Sequence, residues 1–295
     1  MHRPPVTIPS GLEWWRDEPN GADWLARLPA LVDECAEIWS LRVGRPFSRS
    51  HVSWVAPVEL PDGTPAVLKV NFPERESEHE AGALAHWHGV GAARLYASDP
   101  DRRALVIERC DPGTELWSLP DEGEANTIAA RVLRRLWRHA PGNHGFRLLA
   151  DAAAHWVEEL PERWERLGRP YERRLLDEAV AFLRAAGPEQ GEPVVCHQDF
   201  HTGNVLRATR EPWLAIDPKP LVGEREFDTA SLLRDRRWEL PAEPHPEARI
   251  RRRLDQLTAD LGLDRERMRG WGIAHALAWD PDEDMVACAR WLAAA

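Results

Sequence analysis

Apolar side chains recur at helical spacing over residues 22–39: Leu28, Leu31, Val32, Cys35 and Trp39 share one face, and Pro29 can take a first helical position. The period then changes. Over residues 52–60, Val52, Trp54, Ala56, Val58 and Leu60 alternate with other residues, the two-residue repeat of a strand. Pro61-Asp62-Gly63 reads as a turn, and Ala66-Val67-Leu68-Lys69-Val70 as the returning strand of a hairpin. A charged helix is predicted from about Glu74 to His88, with short strands after it over 93–97 and 104–108.

Beyond Asp111-Pro112-Gly113 the spacing turns helical, over 122–139, 146–166, 171–186 and again from about 226 to the end. Only 193–196, 204–208 and 213–216 look extended there. A β-rich first third followed by an α-rich remainder predicts an α+β chain of two lobes, 1–109 and 110–295. A cleft between two lobes is a common seat for a nucleotide.

At 295 residues the chain is long enough for two packed units. Its net charge of −11 argues against binding a phosphate backbone, so no nucleic-acid partner is expected; it suits a cationic ligand or simple solubility. No apolar run approaches the roughly 20 residues needed to span a bilayer, and the N-terminus lacks a secretory pattern. These features predict a cytoplasmic protein without membrane contact. Cys35, Cys110, Cys196 and Cys288 form no C-x-x-C pair and read as free thiols. The 15 tryptophans are assigned to core packing first.

The chemistry concentrates in 194–217, VVCHQDFHTGNVLRATREPWLAID. A strand-like VVC delivers a polar cluster from His197 to Asn204, and a short hairpin returns Asp217 to it. Phosphoryl transfer needs a carboxylate to orient an acceptor hydroxyl and take its proton, and oxygen ligands to hold magnesium. Asp199 fits the first role; Asn204 and Asp217 fit the second. Gly203 would let the backbone turn so that Asn204 points inward. Two other readings compete. H-x-D alone can be a hydrogen-bonded turn, and His197, Asp199 and His201 can be read as transition-metal ligands of a hydrolase.

H-x-D-x-x-x-x-N followed by I-D resembles the catalytic and metal-binding motifs of the aminoglycoside phosphotransferase and choline kinase branch of the protein-kinase-like fold. EPWLAIDPKPLVGEREFD resembles a narrower group, the streptomycin 6-phosphotransferase and hydroxyurea phosphotransferase family. The similarity extends from LPALVDECAEIW to the helices around WGIAHALAWD. The resemblance implies a two-lobed kinase with ATP and Mg2+ as cofactors. Asp199 becomes the catalytic carboxylate, Asn204 and Asp217 the metal ligands, and His197 a brace of the loop. Gln198 stands where glycine is common, and Phe200 where leucine is.

The same resemblance makes Lys69 the anchor for the α- and β-phosphates, with a carboxylate partner among Glu76, Glu78 and Glu80. Glu80 is chosen because Ala81, Leu84, Ala85 and His88 mark the adjacent inward face. Ser48-Arg49-Ser50-His51-Val52-Ser53 takes the place of the phosphate-covering loop without a glycine, leaving Ser50 as its candidate contact. Glu108 and Cys110 would meet adenine through main-chain groups. For the acceptor, Asp228 would brace the loop or line the pocket. Asp280, Glu283 and their acidic neighbours would attract a cationic antibiotic or begin a helix. The function implied is O-phosphorylation of a small-molecule hydroxyl, on streptomycin-like aminoglycosides or hydroxyurea. An endogenous metabolite as acceptor, or a catalytically silent nucleotide-binding protein, are the alternatives.

Overall fold

A five-stranded antiparallel sheet organises the first third of the chain, in the computed structural model that describes residues 6–48, 50–279 and 281–295. Cα packing separates two compact units, Met1–Gly113 and Thr114–Ala295.

In the first unit a 3-10 helix, Ser10–Asp17, leads into α1, Gly21–Ile38. The strands are β1 (Arg42–Val43), β2 (Ser53–Glu59), β3 (Pro65–Asn71), β4 (Leu95–Asp99) and β5 (Ala104–Glu108), in the order β1-β2-β3-β5-β4. Between β3 and β4 lies α2, Glu80–Trp87. β2 and β3 pair across the predicted hairpin with Val55 opposite Lys69. Trp54, Ala56, Leu68 and Val70 of the sheet and Leu25, Leu28, Val32 and Cys35 of α1 close one core.

Three expectations are corrected here. Pro29 lies inside α1, not at its start. The buried stripe from Trp24 to Ala36 runs past it without a break, and that packing outweighs one missing backbone bond. The charged segment after β3 is not helical until Glu80. Ser77 Oγ donates to the carbonyls of Phe72 and Glu74 at 3.1 and 3.2 Å, a local bonding that competes with helix. The strand predicted over 93–97 sits two residues later, with an irregularity between Leu95 and Ala97.

In the second unit, α3 (Glu122–Leu136) is capped by Asp121, which accepts from the Glu124 amide at 3.1 Å. It ends before the predicted 139, because Val195 donates to the Arg138 carbonyl at 3.1 Å and His139 bridges to Val194. β6 (Arg147–Leu148) precedes α4 (Leu149–Arg166) and α5 (Arg173–Ala186). β7 (Val194–Cys196) is followed by the hairpin of β8 (Val205–Arg207) and β9 (Trp213–Ala215), then by β10 (Leu221–Gly223). β10 pairs parallel with β6 and antiparallel with β7, a small sheet that the helical spacing over 146–166 hid.

The chain closes with α6 (Ala230–Leu233), a 3-10 helix Arg237–Ala242, α7 (Pro246–Leu261), α8 (Arg265–Trp279) and α9 (Glu283–Ala293). α8 is buried on nearly every side, from Gly270 to Ala278, as befits a helix wrapped by α5, α6 and α9. No helix among the described residues is long and apolar enough to cross a membrane.

Candidate active site

β7 ends at Cys196 and delivers His197, which is fully buried. Its Nε2–H donates to the Ile216 carbonyl at 2.9 Å, tying the loop after β7 to the strand end after β9. Desolvation pulls the imidazole pKa down to about 4, so the ring is neutral at ordinary pH. The His197 carbonyl accepts two amides, from Asp199 at 2.8 Å and Lys219 at 3.0 Å. His197 is therefore a strut between two backbone segments. Among the described residues no cluster of three His, Cys, Asp or Glu side chains forms a metal site.

Gln198 has φ +65°, a left-handed conformation, which supplies a physical reason for glycine to be common at this position. Its amide donates to Asp228 Oδ1 at 2.7 Å, and its carbonyl accepts from Ser231 Oγ at 2.8 Å. Asp228 Oδ2 also accepts from the Trp137 indole at 3.0 Å. Asp228 is fully buried, and desolvation pushes its pKa up to about 6 despite those donors. A carboxylate so enclosed braces the loop and cannot line an acceptor pocket, which corrects the substrate-binding expectation for Asp228.

After this anchored turn Asp199 emerges half-buried. Asn204 Nδ2 donates to the Asp199 carbonyl at 3.0 Å, so its amide oxygen is the atom left to serve a cation. The Ile216 amide donates to the Asn204 carbonyl at 2.9 Å, and Val205 pairs with Ala215. Asn204 and Asp217 thus stand at the two ends of one hairpin. Asp217 has φ +59°, a region that Asp tolerates better than most residues. An amide oxygen and a carboxylate are the hard donors that magnesium prefers, so the residues present fit that ion.

His201 Nδ1 accepts from the Gly203 amide at 3.1 Å, and its Nε2 lies 4.0 Å from Asp199 Oδ1. The ring stacks on Trp117. Gly203 serves close approach and not a left-handed turn: a Cβ there would lie 2.8 Å from the Trp117 ring. Thr202 is held by Asp235 Oδ2, through its amide at 3.3 Å and through its hydroxyl. The signals for Trp117 and Asp235 lie outside the loop motif, and sequence reasoning missed both.

In the first unit Lys69 Nζ lies 2.8 and 2.9 Å from the two oxygens of Glu80. Asn71 Nδ2 donates to Glu80 Oε2 at 2.8 Å, and Ser53 Oγ donates to Asn71 Oδ1 at 2.6 Å. Lys69 is 6% and Glu80 1% exposed, so the pair is shielded from solvent screening. The buried face of α2 is Glu80, Ala83, Leu84 and Trp87; Ala85 and His88, predicted inward, are exposed.

Ser50 Oγ donates to the Ser53 carbonyl and so folds the glycine-free loop on itself. Arg49 lies outside the described residues. Two indoles pin this loop from the 3-10 helix: Trp14 Nε1 donates to His51 O at 2.7 Å and Trp15 Nε1 to Val52 O at 3.1 Å. That tether was not foreseen, since the tryptophans were assigned to the core. Glu108 donates its amide to the Arg94 carbonyl at 2.8 Å, leaving the Glu108 carbonyl as the main-chain group for a base; Cys110 is half-buried.

Beside Asp199 the second unit holds a cavity of about 280 Å3 whose walls include His201, Arg234, Asp235, Trp238 and Trp279. Glu283 is exposed in the first turn of α9, outside that lining, and Asp282 caps the helix by accepting from the Met285 amide at 2.7 Å. The acidic segment therefore starts a helix. Asp280 lies outside the described residues.

Comparison with known proteins agrees with this geometry. Residues 39–280 match the family model described as aminoglycoside/hydroxyurea antibiotic resistance kinase. A streptomycin 6-kinase of Streptomyces glaucescens is 39% identical over 272 residues, 91% of this chain and 88% of that protein. A hydroxyurea phosphotransferase of Kitasatospora aureofaciens is 38% identical over 273 residues, 90% of this chain and 77% of that protein. Among solved structures, a thermostable aminoglycoside phosphotransferase bound to ADP and hygromycin B superposes with a TM-score of 0.60. It is 15% identical and covers 89% of this chain and 96% of its own. A choline kinase from Streptococcus pneumoniae gives 0.57 at 13% identity, covering 90% and 98%. Those two likenesses show the protein-kinase-like fold; the sequence matches show more. The chain is a small-molecule kinase and belongs to the aminoglycoside/hydroxyurea antibiotic resistance kinase family.

Proposed function

We propose that this kinase transfers the γ-phosphoryl group of Mg-ATP to a hydroxyl of a small antibiotic, with streptomycin-like aminoglycosides and hydroxyurea as the first acceptors to offer. The observation that carries the reading is the anchored loop: Asp199 stands free of ion pairing to Lys or Arg on a backbone fixed by His197, Asp228 and Asn204. Asp199 orients the acceptor hydroxyl and takes its proton as the acceptor oxygen bonds to the γ-phosphorus. The bond from that phosphorus to the bridging oxygen breaks, and ADP leaves. Asn204 and Asp217 hold magnesium, which when bound offsets phosphate charge. Lys69, kept in place by Glu80 and Asn71, meets the α- and β-phosphates. Ser50 and the main chain at Glu108 and Cys110 complete the ATP contacts. Most of the rate enhancement then comes from positioning and electrostatics.

The test is incubation with Mg-ATP and a panel of streptomycin, other aminoglycosides and hydroxyurea, read by mass spectrometry. The expected result is a product heavier by ~80 Da, the phosphoryl increment of this chemistry. Absence of that product across the panel, with Mg-ATP tightly bound, would remove the antibiotic reading.

A further inference from the structure

The cavity beside Asp199 holds more positive charge than positioning a hydroxyl requires. Arg234 is 6% exposed, and its terminal nitrogens donate to neutral partners: Nη1 to His275 Nδ1 at 2.8 Å and Nη2 to Ser231 Oγ at 3.0 Å. His275 is fully buried, and desolvation together with the Arg234 charge keeps it neutral, so it supplies no counter-charge. Arg236 is 7% exposed and donates Nη2 to the Leu119 carbonyl at 2.9 Å. Among the described residues neither guanidinium has a carboxylate within salt-bridge distance. Arg237 adds a third, paired loosely with Asp282 at 3.6 Å.

The carboxylates on the same walls are Asp199 and Asp235. Both act on Arg234 only at longer range. Asp235 is already engaged by Thr202 and by the Arg236 amide at 2.9 Å, and Asp199 is reserved for the reacting hydroxyl. The Lys219 ammonium lies 5.5 Å over the Trp279 ring, on a wall of the cavity. In a chain of net charge −11 this is a local reversal of sign. A buried cation with only neutral partners carries a desolvation cost that an arriving oxyanion offsets, and the guanidinium fork matches carboxylate and phosphate oxygens.

We propose that this cavity is an oxyanion subsite, so that the preferred acceptor carries a carboxylate or phosphate group near the hydroxyl that Asp199 serves. A neutral compound such as hydroxyurea is accommodated. Streptomycin brings guanidino groups of its own and meets like charge here. The inference rests on the phosphotransferase reading for the role of Asp199, but its test is a binding order measured without ATP, so the two fail separately.

Four polyol probes of similar size isolate the charge: gluconate, glucose 6-phosphate, neutral glucitol and cationic N-methylglucamine. By titration calorimetry on the wild-type chain, one or both oxyanions bind at least roughly tenfold tighter than glucitol, the scale of one charge-assisted hydrogen bond. N-methylglucamine binds weakest. Whichever anion binds better distinguishes carboxylate from phosphate. Arg236→Gln reduces the preference by a similar factor, and the wild-type comparison stands even if that variant folds poorly. Equal affinities, tighter binding of glucitol or N-methylglucamine, or no binding by any of the four overturns the proposal.

Discussion

The catalytic loop and the cavity next to it are built by opposite means. From His197 to Asn204 the loop is fixed by main-chain hydrogen bonds: the His197 carbonyl accepts two amides, and the amide and carbonyl of Gln198 are taken by Asp228 and Ser231. The side chains that do chemistry are left half-exposed on this frame. The cavity is instead shaped by the side chains themselves, Arg234, Arg236, Trp238 and Trp279 among them. A frame made of backbone can be shared by kinases with different acceptors, whereas a wall made of side chains sets the acceptor. Changes in the loop should therefore alter turnover for every acceptor, and changes in the wall should alter their order.

The largest expected effect breaks the loop's chemistry. Asp217→Ala weakens Mg-ATP binding and raises the magnesium concentration needed for turnover; unchanged magnesium dependence would remove Asp217 from the metal site. Lys69→Met raises KM for ATP, because it deletes the buried ammonium and leaves Glu80 uncompensated; an unaltered KM would exclude Lys69 from the phosphate site.

Next comes the frame. Asp228→Asn keeps the shape but turns an amide donor toward either Gln198 N or the Trp137 indole, at a cost of roughly 1–3 kcal/mol at one bond. Its pH signature is sharper. His197, with its pKa lowered to about 4, contributes stability that is present above 6.5 and is lost as pH falls towards 4. Asp228, raised from 3.8 to about 6, works the other way: its contribution is present at low pH and is lost as pH rises through 6. The two oppose each other between pH 4 and 6.5. Removing the Asp228 titration exposes the histidine trend, so stability by urea unfolding drops more steeply from pH 7 to 5 in Asp228→Asn than in the wild type. The difference is about 3 kcal/mol, from a shift of roughly two units. Parallel pH profiles would contradict it.

The smallest effects sharpen the boundary between frame and surface. Gln198→Gly changes stability by less than about 1 kcal/mol, since relief of the left-handed conformation offsets added chain entropy. Gln198→Val costs roughly 1–3 kcal/mol at the same position. Equal stabilities for the two variants would mean that the backbone there does not need its positive φ.

The loop was legible in the sequence because its chemistry dictates residue types and because Asp199, Asn204 and Asp217 fall within one strand, turn and hairpin. The cavity was not legible. Arg234, Asp235, Arg236 and Arg237 form a charge run that reads as a solvated face, and only the fold carries Arg234 and Arg236 inside, against the walls shared with Trp279 of α8. The choice of Glu80 as partner of Lys69 was reached from a helical face only partly right, since Ala85 and His88 are exposed. β6 and β10, of two and three residues, are too short to show a period. Trp14 and Trp15 needed tertiary structure to appear as donors to the loop at His51 and Val52.

The central claim is that Asp199 acts on the acceptor hydroxyl and not on ATP. The most direct measurement compares wild type and Asp199→Ala for Mg-ATP affinity and for phosphoryl transfer to an acceptor that the wild type turns over. The account predicts near-equal ATP affinity with transfer reduced by roughly 10³-fold or more, the scale of a lost general base. Transfer at the wild-type rate, or loss of ATP binding in step with activity, would contradict it.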